Sequence, residues 1–191
     1  MSFKKEKDQI IFWACQLYEK NLTKAKSGNI SLKVEKDKIL ITAHDTFLGY
    51  LEKQDIILMD LEGNILEGEK EVTSEKLVHL SIHKKFPQKK AVLHAHPPFT
   101  VAFFHYFKKL DNIFLESKYY LKNIKVITQK TINITEIGPV LSALAESSIV
   151  VIKDHGVISI GDNFKEAFGL IELVEEQARI NFFMKLLNKD G

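Results

Sequence analysis

A chain of 191 residues with 45% hydrophobic and 27% charged side chains has the size and composition of one globular domain with a full core. Its net charge of +2 gives no case for nucleic-acid or membrane binding, and a single arginine, Arg179, argues against an anion held by guanidinium forks. Cys15 is the only cysteine, which excludes an internal disulfide and a cysteine-based zinc site. The N-terminal stretch lacks a signal peptide's apolar core and no apolar run is long enough to span a bilayer, so the cytoplasm is the expected compartment.

Along the chain, Ile10, Ile11, Trp13, Leu17 and Tyr18 fit one face of a helix over residues 6–20, broken at Ser27-Gly28. Ile30, Leu32 and Val34 alternate with polar residues as a strand, and Glu35 to Lys38 turn the chain into a second strand from Ile39 to Thr42. A loop follows from His44 to Tyr50, then a strand from Ile56 to Leu61, a turn at Glu62-Gly63-Asn64 and a short strand. Thr73 or Ser74 is placed to cap a helix reaching about Phe86, with Pro87 beyond it. Ala91 to His94 reads as a buried strand, and Pro97-Pro98 opens a helix through Phe107. Strands are expected at Ile124–Thr128, Ile149–Ile152 and Val157–Ile160, with helices at 136–146 and Phe164–Leu187. Mixed elements with several hairpins point to a largely antiparallel sheet flanked by helices.

The histidines carry the chemical signal. His94 and His96 are spaced i, i+2, which on a strand puts both imidazoles on one face. His155 ends an apolar strand at the corner Asp154-His155-Gly156. Three neutral imidazoles bind a divalent ion and leave coordination positions open, and an open site implies chemistry. Glu75, at the start of the helix after Thr73-Ser74, is the candidate acid/base. A His-x-His pair alone is more often packed or at the surface, and periodicity does not show that these residues converge. His79 and His83, i, i+4 on one helix, read as a residue supporting the site and a near-surface one. Asp154 reads as structural, and the stripe Phe99, Phe103 and Phe107 as core or subunit contact.

Four motifs, in this order, resemble the class II aldolase/adducin family, and within it the L-fuculose-phosphate aldolase-like enzymes. They are Ser27-Gly28-Asn29-Ile30-Ser31, Thr73-Ser74-Glu75 with His79 beyond, His94-Ala95-His96-Pro97 and His155-Gly156-Val157. The resemblance spans nearly the whole chain and implies one domain over residues 1–191. The implied fold is a three-layer α/β/α sandwich around a mixed, mostly antiparallel sheet. It also implies zinc on His94, His96 and His155, one ion per chain, with cobalt, nickel or manganese able to substitute. Glu75 would reach the metal in the free enzyme and act as acid/base on substrate. The implied reaction is cleavage of a small ketose 1-phosphate to dihydroxyacetone phosphate and a short aldehyde, with zinc stabilising the enediolate. A homotetramer with sites near subunit interfaces is expected.

Gly28, Asn29, Thr73 and Ser74 are the implied phosphate-binding residues. His44-Asp45 stands where the family has a hydroxyl–glycine pair, which brings a carboxylate toward the expected phosphate. Either a protonated His44 offsets that charge, or Asp45 turns outward as a loop cap, or the substrate carries no phosphate. The C-terminal tail of longer family aldolases is expected to be missing. The tyrosine that protonates the leaving oxygen has no clear counterpart, since Tyr119 and Tyr120 are near its place but read as core aromatics. The same scaffold hosts a sugar-phosphate 4-epimerase and a methylthioribulose-phosphate dehydratase, which share the metal triad. A non-catalytic adducin-like interaction module would be expected to lose it.

Overall fold

The computed structural model describes residues 2–121 and 124–187. Within them, eight strands form one sheet with six helices. The strands are β1 (Asn29–Lys33), β2 (Lys38–Thr42), β3 (Ile56–Asp60), β4 (Ile65–Glu67), β5 (Ala91–Ala95), β6 (Lys125–Ile127), β7 (Ile149–Ile152) and β8 (Gly156–Gly161). The helices are α1 (Lys4–Glu19), α2 (Lys76–Lys85), α3 (Pro98–Tyr106), α4 (Leu115–Tyr120), α5 (Ile137–Glu146) and α6 (Phe164–Leu187). The sheet order is β4-β3-β2-β1-β5-β8-β7-β6, antiparallel throughout except for the parallel β6–β7 pair. The mixed, mostly antiparallel sheet between helical layers is the expected α/β/α sandwich.

Alternation along each strand sorts side chains between the two layers. On β5, Ala91, Leu93 and Ala95 join a core with Ile10 of α1, Phe103 of α3 and Phe168 of α6. Val92 faces the other way, packing with Val78 of α2 and Val140 of α5. His94 shares the face of Val92, so it points toward the α2 layer. Asn29 lies opposite His94 across the β1–β5 ladder, and Ser31 lies opposite Val92. Cross-strand partners share a face, so the register delivers Asn29, Ser31 and His94 to the same side.

Two glycines are dictated by close approach around this register. Gly28 has φ +84°, a left-handed conformation that disfavours side chains, and a Cβ there would lie 2.9 Å from the His94 carbonyl oxygen. At Gly156 a Cβ would lie 2.3 Å from the Ala95 carbonyl oxygen. Gly156→Ala must therefore spread β5 from β8, beside His155. We expect it to destabilise by about 1–3 kcal/mol or more, as overpacking does, read as a lower urea midpoint at unchanged slope. A wild-type midpoint would mean the strands yield there at no cost.

Several expectations are corrected. The α2 helix begins at Lys76 with Glu75 at its cap position; Thr73 Oγ1 takes the Glu75 N–H at a long 3.4 Å just ahead of the helix, and Ser74 does not cap it. His83 is fully buried rather than near-surface. Tyr119 and Tyr120 are 66% and 60% exposed and so are not core aromatics. They sit on α4, a six-residue helix that the apolar periodicity did not announce. Asp154, read as structural, has a left-handed φ of +60° in the β7–β8 turn, and its carboxylate takes a hydrogen bond from His105 Nδ1 at 2.6 Å. No helix among the described residues is long and apolar enough to cross a membrane.

Candidate metal centre and active site

The three histidines converge at the C-terminal end of β5. His94 is the penultimate residue of β5, His96 follows that strand, and His155 sits in the turn between β7 and β8. His94 Nε2 lies 2.9 Å from His96 Nε2 and 3.1 Å from His155 Nε2. His94 Nδ1 donates to the Val157 carbonyl at 2.9 Å, which leaves its Nε2 bare and aimed at the other two rings. Burial, more than any neighbour, lowers the His94 pKa, and it lowers that of His96 to about 3. With Nδ1 bonded to the backbone, the bare His94 Nε2 faces two further imidazole nitrogens at 2.9 and 3.1 Å, a set of converging donor atoms that an ion would draw together. The donor set suits a divalent ion, and the backbone bond to His94 Nδ1 is the usual device for orienting a histidine ligand. These residues form a group able to hold a metal ion.

Glu75 faces the cluster. Its Oε2 lies 3.4 Å from His94 Nε2 and its Oε1 3.7 Å from His155 Nε2. The side chain is 5% exposed. Oε2 accepts from Asn29 Nδ2 at 2.8 Å and Oε1 from the Ile134 backbone N–H at 3.2 Å. Burial pushes the carboxyl's pKa up, but His94, His155 and Asn29 together outweigh it and hold the group well below the ordinary carboxylate range. Glu75 is thus held as an anion with two fixed donors.

A cavity of about 350 Å³ opens from this centre, and Gly28, Asn29, His44, Asp45, Thr73, Ser74, Glu75, His94, His96 and His155 all line it. The ten residues singled out in the sequence therefore share one cleft. Asn29 and Thr73 are buried beside Glu75, whereas His44 and Asp45 are exposed on the cavity's outer wall. Asp45 has φ +58°, a left-handed conformation that explains why a glycine suits this position. Its Oδ2 accepts from Lys26 Nζ at 2.6 Å, a bond that lowers its pKa. The partner of the Asp45 charge is therefore Lys26, 19 residues away, rather than His44 alone.

Sequence reasoning missed four contributors. Lys24 and Lys26 line the mouth, and their position directly before Ser27-Gly28 was the available signal. Ile132 and Asn133, from the loop after β6, close the opposite wall, and Ser74 Oγ donates to Asn133 Oδ1 at 3.2 Å. That loop has no helical or strand pattern to mark it. Tyr119 and Tyr120 line a different cavity. His105 and Asp154 form an exposed pair in a shallow depression on the far side of His96 and His155.

Residues 8–182 match the family described as the class II aldolase and adducin N-terminal domain. An L-fuculose phosphate aldolase of Methanococcus maripaludis is 34% identical over 91% of this chain and 93% of its own length. Another from Methanocaldococcus jannaschii is 30% identical over 96% of this chain and 99% of its own. The crystal structure of L-fuculose-1-phosphate aldolase from Thermus thermophilus superposes with a TM-score of 0.86 at 29% identity, covering 96% of both chains. More distant matches include a 3-oxo-tetronate 4-phosphate decarboxylase of Haemophilus influenzae, 27% identical over 94% of this chain and 88% of its own. A methylthioribulose-1-phosphate dehydratase of Methylococcus capsulatus matches over 39% of this chain and 36% of its own. With its family match, its relatives and its fold in agreement, the chain belongs to the class II aldolase and adducin N-terminal domain family, and within it is similar to the L-fuculose-phosphate aldolases.

Proposed function

We propose that this chain, acting as one domain, is a zinc-dependent aldolase that cleaves a small ketose 1-phosphate to dihydroxyacetone phosphate and a short aldehyde. The observation that carries this reading is the buried Glu75 carboxylate, 3.4 Å from His94 Nε2 in the same cavity as the Gly28-Asn29 and Thr73-Ser74 segments. His94, His96 and His155 would hold one divalent ion, zinc before cobalt, nickel or manganese for three imidazoles. When bound, that ion supplies positive charge opposite the substrate oxygens that become negative as the carbon–carbon bond breaks.

The protein's own groups do the rest. Glu75, ionised and held by Asn29 and the Ile134 amide, exchanges a proton with the donor carbon of the substrate. Backbone and hydroxyl groups of Gly28, Asn29, Thr73 and Ser74 hold the phosphate, with Lys24 and Lys26 adding positive charge at the mouth. A loss of the metal-binding histidines and of Glu75, expected of a non-catalytic module, has not occurred here. The site would work in the cytoplasm, in a homotetramer like those expected from the resemblance. Light scattering at micromolar concentration tests the assembly, and a monomer contradicts it.

Metal-loaded protein should be screened against ketose 1-phosphates and the unphosphorylated sugars, detecting dihydroxyacetone phosphate and aldehyde separately. Both products should appear in equal amounts from a phosphorylated ketose. Carbon dioxide, a dehydrated ketone or an epimer in place of the aldehyde would assign the scaffold to a different reaction.

The outer wall gives a further prediction. Asp45 places a negative charge where the phosphate is expected and occupies the Lys26 ammonium. Asp45→Gly removes the charge, suits the left-handed backbone and frees Lys26. Two like charges at short range repel, and solvent screening at this exposed position weakens the repulsion without removing it. We expect a lower KM for the sugar phosphate with kcat less affected. Lys26→Met should raise KM. An unchanged KM in both variants would place the phosphate elsewhere.

A further inference from the structure

Behind Glu75 runs a buried line of polar side chains for which the chemistry described so far has no use. Asn29 Nδ2 donates to Glu75 Oε2 at 2.8 Å, and Asn29 Oδ1 lies 2.5 Å from His79 Nε2. His79 Nδ1 lies 2.7 Å from Ser31 Oγ, and Ser31 Oγ lies 2.7 Å from His83 Nε2. Ser31, His79 and His83 are each 0% exposed, and Asn29 and Glu75 are 6% and 4% exposed.

The line exists because two periods match. Asn29 and Ser31 are two apart on β1, a rise of about 6.8 Å. Glu75, His79 and His83 are four apart at the start and along one face of α2, a rise of about 6 Å per step. Strand and helix lie against each other, so each strand side chain falls between two helix side chains. Asn29 fits between Glu75 and His79, and Ser31 between His79 and His83.

Its direction is fixed from the Glu75 end. An ionised carboxylate only accepts, so the Asn29 amide must turn its NH₂ toward Glu75 and its oxygen toward His79. That oxygen requires a proton on His79 Nε2. Burial lowers the pKa of His79 and of His83 to about 3, so each ring is neutral and carries one N–H. His79 Nδ1 is then bare and takes the Ser31 hydroxyl proton. Ser31 Oγ in turn accepts from His83 Nε2–H. His83 Nδ1 is left bare and buried outside the chain, with the Lys89 backbone as the polar group near the ring. Every bond donates toward Glu75. The last member before Glu75 is an amide, which has no proton to pass on, so the chain orients and does not conduct.

We propose that Ser31, His79 and His83 are positioning residues: a one-way hydrogen-bond chain between β1 and α2 that locks the Asn29 amide and through it the Glu75 carboxylate. The inference rests on Glu75 being the acid/base. Burying three polar side chains in one line is costly, and this core does so at Ser31, His79 and His83. Orientation of a reacting carboxylate is a role that accounts for it, since small displacements of a catalytic group cost large factors in rate.

The test compares Ser31→Thr with Ser31→Val. Both add similar bulk to a β-strand position, and only threonine keeps the hydroxyl. In metal-loaded protein the threonine variant should exceed the valine variant in kcat by on the order of 10-fold to 100-fold, the usual effect of removing a partner that orients a site residue. KM and metal content should be the same in both. Imidazole nitrogen NMR of the unmodified protein should show His79 and His83 protonated at Nε2, with the Asn29 side-chain amide protected from exchange. The valine variant should lose that protection and show mixed His79 tautomers, and the threonine variant should keep both. Equal kcat in the two variants, or His79 protonated at Nδ1 in the unmodified protein, would overturn the proposal. If no ketose phosphate is turned over at all, the aldolase reading fails, while tautomers and amide protection still decide whether the chain is directional and locks Asn29. If neither variant folds, the same spectra of the unmodified protein decide it.

Discussion

Glu75→Gln is expected to keep the metal and the fold while losing roughly 10²–10⁴-fold in turnover, the range a positioned acid/base contributes. The amide matches the carboxylate in volume but exchanges no proton at neutral pH. The structure adds a cost. Both Glu75 oxygens accept a hydrogen bond, one from Asn29 Nδ2 and one from the Ile134 N–H. The amide NH₂ must face one of these donors, and a buried donor left without an acceptor costs about 1–3 kcal/mol. A lowered melting temperature is therefore expected alongside intact metal content and an unchanged circular dichroism spectrum at working temperature. Turnover near the wild-type rate would remove Glu75 from the acid/base role.

His94→Ala should have an effect of similar size by a different route. His94 Nε2 is the nitrogen that meets both other imidazoles, at 2.9 and 3.1 Å, and its ring is 1% exposed. Deleting it removes one of three ligands and leaves a hole that His96 and His155 do not fill. Losing a partner of a ligand costs about 10–100-fold in metal affinity or activity, so losing the ligand itself should cost on the order of 100-fold or more in affinity. The purified variant should carry only a small fraction of the wild-type metal, and its turnover should fall in proportion. His96→Ala should behave alike. Full metal content in both variants would show that the ion sits elsewhere.

The site was legible in the sequence to the extent that it follows local periods. His94 and His96 share a face because a strand repeats every two residues, and the corner at Asp154-His155-Gly156 marked a loop beside an apolar strand. The strand and helix assignments followed from the same alternation and capping signals, and the last helix from Phe164 to Leu187 is found as expected. The illegible parts depend on which surfaces meet. His83 reads as a polar residue near a helix end, and only the seating of α2 on β1 buries it against Ser31. The Lys26–Asp45 pair joins two loops 19 residues apart, which no pattern reveals. Helix α4 escaped notice because Leu115, Tyr119 and Tyr120 are exposed and so obey no core-facing period. Of the two cap candidates, Thr73 and Ser74, the sequence could not single out one for a related reason. Ser74 Oγ is turned outward to donate to Asn133 Oδ1, away from the α2 amides, so a tertiary contact sets its rotamer.

The central claim is that His94, His96 and His155 hold one catalytic ion opposite Glu75. Its most direct measurement is cleavage of a ketose 1-phosphate by chelator-stripped protein as zinc is added back. The account predicts negligible release of dihydroxyacetone phosphate at first, rising linearly with zinc and levelling at one equivalent per chain. Stripped protein that cleaves as fast as the untreated enzyme, or activity that rises without regard to the zinc equivalents bound, would contradict it.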